Sequence, residues 1–281
     1  MNTVDTLVTG LNLGEGPQPD GKGNVYLTDV FGRGLYRYNA NGSVDTLGPA
    51  RKSSGGCVLH RDGRVIYSGR DGLALYDPVT EEVRSISASI DGQPILDIND
   101  IEADCYGNLW GGTIDHESLQ SGKLPRQGIL FCLSSDGIAR QVGLANVANG
   151  IDFSQDGKTL FFSDTGKGVF AYDVNLDKSL SGQRLAVGPL EDSDGIVLDL
   201  EGGMWVARYF SNRLVHYTAD GVADATIETP FACVASATFG GDDLRTLYIT
   251  GGSLTEIGTG GLVSIRVSVP GLPPRQANIP V

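Results

Sequence analysis

Asn108-Leu109-Trp110-Gly111-Gly112-Thr113 is an aromatic-anchored apolar run that follows the turn Tyr106-Gly107. It recurs as Asn24-Val25-Tyr26-Leu27-Thr28-Asp29, Arg64-Val65-Ile66-Tyr67-Ser68-Gly69 and Thr159-Leu160-Phe161-Phe162-Ser163-Asp164. Gly203-Met204-Trp205-Val206-Ala207-Arg208 and Thr246-Leu247-Tyr248-Ile249-Thr250-Gly251 complete the set. The anchors Tyr26, Ile66, Trp110, Phe161, Trp205 and Tyr248 are spaced by 40, 44, 51, 44 and 43 residues. An apolar run and a glycine turn, such as Asp20-Gly21, Asp62-Gly63 or Asp156-Gly157, precede the anchors. A third apolar run follows most of them, as in Gly34-Leu35-Tyr36-Arg37-Tyr38 and Arg213-Leu214-Val215-His216-Tyr217. A second turn then leads to a fourth. Strand, turn, strand, loop, strand, turn, strand is the order of a propeller blade.

The spacing therefore predicts an all-β six-bladed propeller with four antiparallel strands per blade, one domain over residues 1–281. Asp5-Thr6-Leu7-Val8-Thr9 has no blade of its own, and Gly261 to Val267 supplies the third strand of the sixth unit. The N-terminal strand is expected to complete that last blade, which removes an open edge. No stretch shows a helical period. The longest interval contains a loop from Asp115 to Gln127, a candidate lid.

Composition narrows the partners. A formal net charge of −13 on 281 residues argues against nucleic acid, whose phosphates demand a basic stripe. Met1 to Asp5 is no leader-peptide start, and no apolar run approaches the roughly 18 residues of a membrane span. The expectation is a cytosolic protein, monomeric or a weak homo-oligomer, acting on a small molecule away from any membrane. Cys57, Cys105, Cys132 and Cys233 are scattered beside apolar stretches, and read as reduced core thiols.

Alignment on the anchors gathers a constellation. Eleven residues before Tyr26, Ile66, Trp110 and Trp205 stand Glu15, Gly55, Asn99 and Asp194; a twelve-residue step gives Asn149 and Ser236. That position opens the innermost strand and points to the central channel. Two carboxylates converging there without a counter-ion would repel one another and carry a large desolvation cost. A divalent cation cancels their charge and accepts the amide oxygens of Asn99 and Asn149. All-oxygen ligation favours Ca²⁺, with Mg²⁺, Mn²⁺ or Zn²⁺ as alternatives. The bland reading is that Asn149-Gly150 and Asp194-Gly195 are turns; their shared repeat position argues for ligands.

The same geometry sets Asp29, Arg70, Asp115, His116, Asp164, Arg208 and Tyr209 around the cation's end of the channel. Asp29 and Asp164 equally well cap loops. His116 reads as a proton shuttle or as a plain loop residue. His60, His216, Trp110 and Trp205 read as structural.

In these stretches the chain resembles the senescence marker protein, gluconolactonase and luciferin-regenerating enzyme family. The matching residues are Glu15-Gly16-Pro17, Asn99-Asp100 on to Thr113, Asn149 to Leu160, Asp194 to Ala207 and Phe239 to Thr250. The resemblance implies a six-bladed propeller with a divalent ion held by Glu15, Asn149 and Asp194, with Asn99 completing the site. Members are mostly lactonases, and related propellers hydrolyse organophosphates. Asp194 then serves as ligand and base.

Two departures bear on substrate. Family members carry an Arg that contacts sugar hydroxyls where this chain has Asp97, and an aromatic where it has Gln18. An anion at residue 97 removes a donor fork suited to polyols. Asp97 becomes a second candidate base and, with His116, Arg208 and Tyr209, a candidate substrate contact. The expected reaction is metal-assisted opening of a lactone other than a standard sugar lactone. The alternatives are a phosphotriesterase on the same ion and a non-catalytic binding propeller with a structural calcium.

Overall fold

A computed structural model describes residues 3–87, 89–95 and 97–281. Met1 and Asn2, part of the start read as no leader, lie outside these. The described residues form six four-stranded antiparallel sheets, and the innermost strands touch one another in cyclic order around an axis. The molecule is a six-bladed propeller. Blade 6 consists of Cys233–Gly240, Thr246–Gly252, Gly260–Arg266 and the N-terminal strand Asp5–Leu11. The ring is thus closed by hydrogen bonds between the chain's two ends.

Each pair of adjacent blades shares a buried apolar cluster, because the outward- and inward-alternating faces of every sheet are both covered. Between blades 1 and 2 lie Tyr26, Leu35, Tyr67 and Tyr76. Between blades 3 and 4 the Trp110 ring meets Phe153 edge-on at 5.6 Å, while its indole N–H donates to Asp104 at 3.0 Å. Trp205 packs between blades 5 and 6. The turn glycines sit in the left-handed region, Gly63 at φ +93° and Gly107 at φ +89°, where only glycine is free of Cβ strain.

Four features depart from expectation. Cys57, Cys132 and Cys233 are buried and free, but Cys105 is exposed: it stands in a hairpin turn rather than on a strand, so nothing covers it. The Asp115 loop contains a short helix, His116–Gln120, capped by Asp115; five residues are too few to show a period. A small hairpin pairs Ser89–Ile90 with Gln93–Pro94 ahead of blade 3. Finally, residues 268–281 run across the end of the channel opposite the site, without forming a blade strand. Leu200 N donates to Pro270 O, Gly271 N to Leu244 O, Arg61 N to Ala277 O and Asn278 N to Gly107 O. The Arg275 guanidinium donates to Asp152 at 2.9 Å and to the Phe153 and Ser154 carbonyls.

Candidate metal centre and active site

The register of the innermost hairpins explains why four side chains meet on the axis. In blades 1, 3, 4 and 5 the ladder skips between Glu15 and Gln18, Ile98 and Ile101, Ala148 and Ile151, and Ser193 and Ile196. A bulge re-aims a side chain out of the sheet's alternation; Asn99, Asn149 and Asp194 lie within these skips, and Glu15, still paired with Thr28, stands at the edge of its own. All four are buried, each no more than 7% exposed. Gly150 and Gly195 lie inside strands, not turns. A Cβ on Gly150 would come within 2.4 Å of Ile196 N, and one on Gly195 within 2.5 Å of Ser236 Oγ. These glycines let adjacent inner strands close up around the channel, so the turn reading of Asn-Gly and Asp-Gly does not apply.

The electrostatics of the ring are unbalanced. Burial first, and repulsion from Asp100 second, push the Glu15 carboxyl well above its ordinary range. Asp194 is pushed up in the same way, by burial and then by Glu15. Among the described residues no Lys, Arg or His forms an ion pair with Glu15, Asp100 or Asp194. Asp194 Oδ1 is buried with no hydrogen-bond partner. The amide nitrogens, by contrast, are engaged. Asn99 Nδ2 donates to Ala148 O at 2.9 Å and also to Asn149 Oδ1, while Asn149 Nδ2 donates to Thr165 Oγ1 at 2.5 Å.

A buried pair of repelling carboxylates, with an orphaned carboxylate oxygen and no protein counter-charge, fits a divalent cation. The donors are all oxygen, the chemistry of a hard ion such as Ca²⁺. No group of three or more His, Cys, Asp or Glu side chains occurs in metal-holding geometry among the described residues; here half the donor set is asparagine.

Two hollows share the axis. Above the ring opens a cavity of about 410 Å³ whose floor is Glu15, Asn99, Asn149 and Asp194. Its wall is largely apolar, with Phe31, Ile114, Tyr209 and Phe210 among its residues. Deeper lies a chamber of about 50 Å³ bearing Gln18, Asp100, Glu102 and Asp152. Burial, and then repulsion from Asp152, raises Glu102 to about 8.

The remaining expected contacts separate into two groups. His116 and Tyr209 line the axial cavity. Burial, with the nearby Asp194 carboxylate, holds the Tyr209 phenol far above its ordinary range, so it is a hydrogen-bond donor and not a base. Asp97 stands behind His116: its Oδ2 is 3.3 Å from His116 Nδ1, and its Oδ1 is 3.5 Å from Arg70 Nε. It lines a neighbouring hollow that shares His116 with the axial cavity.

Arg208 turns into an ion pair with Asp192 and a hydrogen bond to Tyr217. Asp29 accepts from Asn12 N and Leu13 N, and Asp164 from Asn146 N and Val147 N; both hold the approach to an inner strand. Asp115 is occupied by Ser118 and Arg126.

Ser and Thr hydroxyls that brace the ring were not foreseen. Thr28 Oγ1 donates to Gly55 O, Ser68 Oγ to Asn99 O at 2.5 Å, and Thr165 Oγ1 to Ser193 O at 2.6 Å. Each reaches from one blade to a backbone carbonyl in or just before the inner strand of the next. Thr28 and Ser68 stand two residues after their anchors, a repeat signal that could have found them.

Residues 13–253 match the sequence profile of the SMP-30/Gluconolactonase/LRE-like region. A regucalcin of Gallus gallus is 31% identical over 251 residues, 86% of this chain and 83% of its own. A pentonolactonase of Haloferax volcanii is 29% identical over 261 residues, covering 89% of this chain and 85% of its own. Among solved structures, a luciferin-regenerating enzyme superposes with a TM-score of 0.88 at 23% identity, over 99% of this chain and 100% of that one.

Proposed function

Because the chain belongs to the SMP-30/Gluconolactonase/LRE-like family, we propose that it is a cation-dependent hydrolase that opens a lactone. Glu15, Asn99, Asn149 and Asp194 would hold the ion, Ca²⁺ by the chemistry of the donors. The observation that carries this reading is the Asp194 oxygen, buried and unpartnered on the floor of an open cavity. The pentonolactonase relative supports lactone opening as the chemistry.

A bound cation would supply polarisation of the ester carbonyl and stabilisation of charge on its oxygen. The protein's own groups do the rest. The two asparagine amides, held by Ala148 O and Thr165 Oγ1, keep the ring's geometry fixed without adding charge. Asp194 takes the proton that an attacking water releases. Tyr209 donates from the wall. As the ring C–O bond breaks, Asp194 returns that proton to the leaving ring oxygen. The hydroxy acid leaves, and its carboxyl proton passes outward through His116, which Asp97 steadies. No serine or cysteine nucleophile paired with a histidine stands in the cavity wall among the described residues, so the attack is by water and not through an acyl-enzyme. Asp97 at the position of the family's sugar-contacting Arg favours a substrate other than a standard sugar lactone.

The test is acid release from sugar, alkyl and aryl lactones, on chelator-stripped protein and again after Ca²⁺, Mg²⁺, Mn²⁺ or Zn²⁺. An ion should restore hydrolysis. Asp194→Ala and Asn149→Ala should each lose turnover while circular dichroism shows an intact fold. Near-normal turnover in either variant removes the axial ring from catalysis.

A further inference from the structure

We propose, resting on the hydrolase reading above, that the substrate is an uncharged lactone with an apolar substituent. An arc of side chains over blades 5, 6 and 1 receives that substituent. The loop between the second and third strands of a blade delivers one residue to the mouth, five positions after the anchor. In blades 1 and 5 this residue is Phe31 and Phe210, and blade 6 places Leu254 one position later. Blades 5, 6 and 1 are consecutive around the ring, and all three side chains line the cavity above the ligand ring. They are 40%, 66% and 50% exposed. Tyr209 packs against Phe210 with ring centroids 5.4 Å apart.

Ile114 and Leu119 of blade 3 line the same cavity, and Leu119 is itself 38% exposed. Exposed apolar residues scattered singly need no explanation, but a cluster at a cavity marks a binding surface. The apolar wall is therefore continuous with the reacting centre rather than a separate patch.

Charge points the same way. No Lys or Arg lines this cavity among the described residues. Three cations of the surrounding loops are already engaged: Arg70 with Asp97, Lys167 with Asp164, and Arg208 with Asp192. An anionic substrate would find no Lys or Arg in the cavity wall among the described residues. For a polyol the wall offers only His116, Gln120 and Tyr209 beyond the ring itself, since the Thr165 hydroxyl already serves Ser193 and Asn149. A cavity of about 410 Å³ exceeds the need of a bare five- or six-membered lactone, and falls in the range of roughly 300–1,000 Å³ typical of drug-sized ligands.

The experiment compares kcat/KM of Ca²⁺-loaded protein on γ-lactones whose side chain grows from none to six carbons, beside a sugar lactone. Each methylene should raise kcat/KM about three- to four-fold until the arc is filled. Phe210→Ser and Leu254→Ser should each cut the preference for the long-chain over the bare lactone by about tenfold. Leu176→Ser, on an exposed turn away from the mouth, should leave that preference unchanged. A flat series, a sugar lactone preferred over every alkyl member, or an unmoved preference in both mouth variants overturns the proposal. Should no lactone be hydrolysed, the hydrolase reading fails on its own. Calorimetric binding of the same series then decides: chain-length-dependent affinity weakened by Phe210→Ser upholds the apolar arc, and no binding overturns it.

Discussion

Asp97 and His116 share one hydrogen bond at 3.3 Å, and Arg70 approaches the same carboxylate at 3.5 Å. Burial pushes the Asp97 carboxyl up, but the His116 hydrogen bond and charge, with Arg70, outweigh it and hold it below its ordinary range. An anion so stabilised is a poor proton acceptor and a good anchor for the imidazole beside it. We therefore expect His116→Ala to lower kcat about a hundredfold, within the span of general acid–base contributions, with Ca²⁺ affinity kept. A loss below threefold in stopped-flow acid release would leave His116 outside the chemistry. Side chains on the axis were legible from sequence because one repeat position fixes the direction of all of them, and the bulge there turns Glu15, Asn99, Asn149 and Asp194 inward together. Side chains at the rim were not. Arg208 stands one residue from Tyr209, yet it faces away because Asp192, 16 residues earlier, takes its guanidinium.

The C-terminal segment is the element that repeat analysis could not foresee. It lacks strand alternation, and its partners lie far away in sequence: Arg275 meets Asp152 across 123 residues. Burial raises the Asp152 carboxyl, and Arg275 counters this. Both side chains are largely buried, 13% and 9% exposed. Removing one member of a buried pair leaves an uncompensated charge, which costs about 3–5 kcal/mol. Arg275→Ala should therefore lose about 3 kcal/mol in urea unfolding, more than Arg275→Lys, which keeps the charge. Equal midpoints for wild type and Arg275→Ala would mean that the segment merely lies on the base. The N-terminal strand, in contrast, was legible because a closed ring must pair its last edge, and Asp5–Leu11 was the remaining apolar run.

For the molecule as a whole, the channel concentrates negative charge inside a protein that already carries −13. Glu102, raised to about 8 by burial and Asp152, makes this measurable. A carboxyl whose folded value lies above its unfolded one contributes stability that is present at low pH and lost as pH rises through the folded value. Stability at saturating Ca²⁺ should fall between about pH 5 and pH 8, by up to about 1.4 kcal/mol per pH unit for this group. Glu102→Gln should flatten that slope in thermal unfolding; an identical slope in the variant would assign it elsewhere. The architecture was readable at this scale because six anchors recur at nearly even spacing, while the apolar cavity wall was not, since the loop position that gives Phe31 and Phe210 gives Asp71, Asp115 and Gly166 in blades 2, 3 and 4. The most direct test of the account is a Ca²⁺ titration of chelator-stripped protein, followed by acid release from an alkyl lactone. The account predicts that hydrolysis rises from nothing to a plateau at one ion per chain, and that Asp194→Ala stays flat throughout. Full hydrolysis before any ion is added, or the same rise in Asp194→Ala, would contradict it.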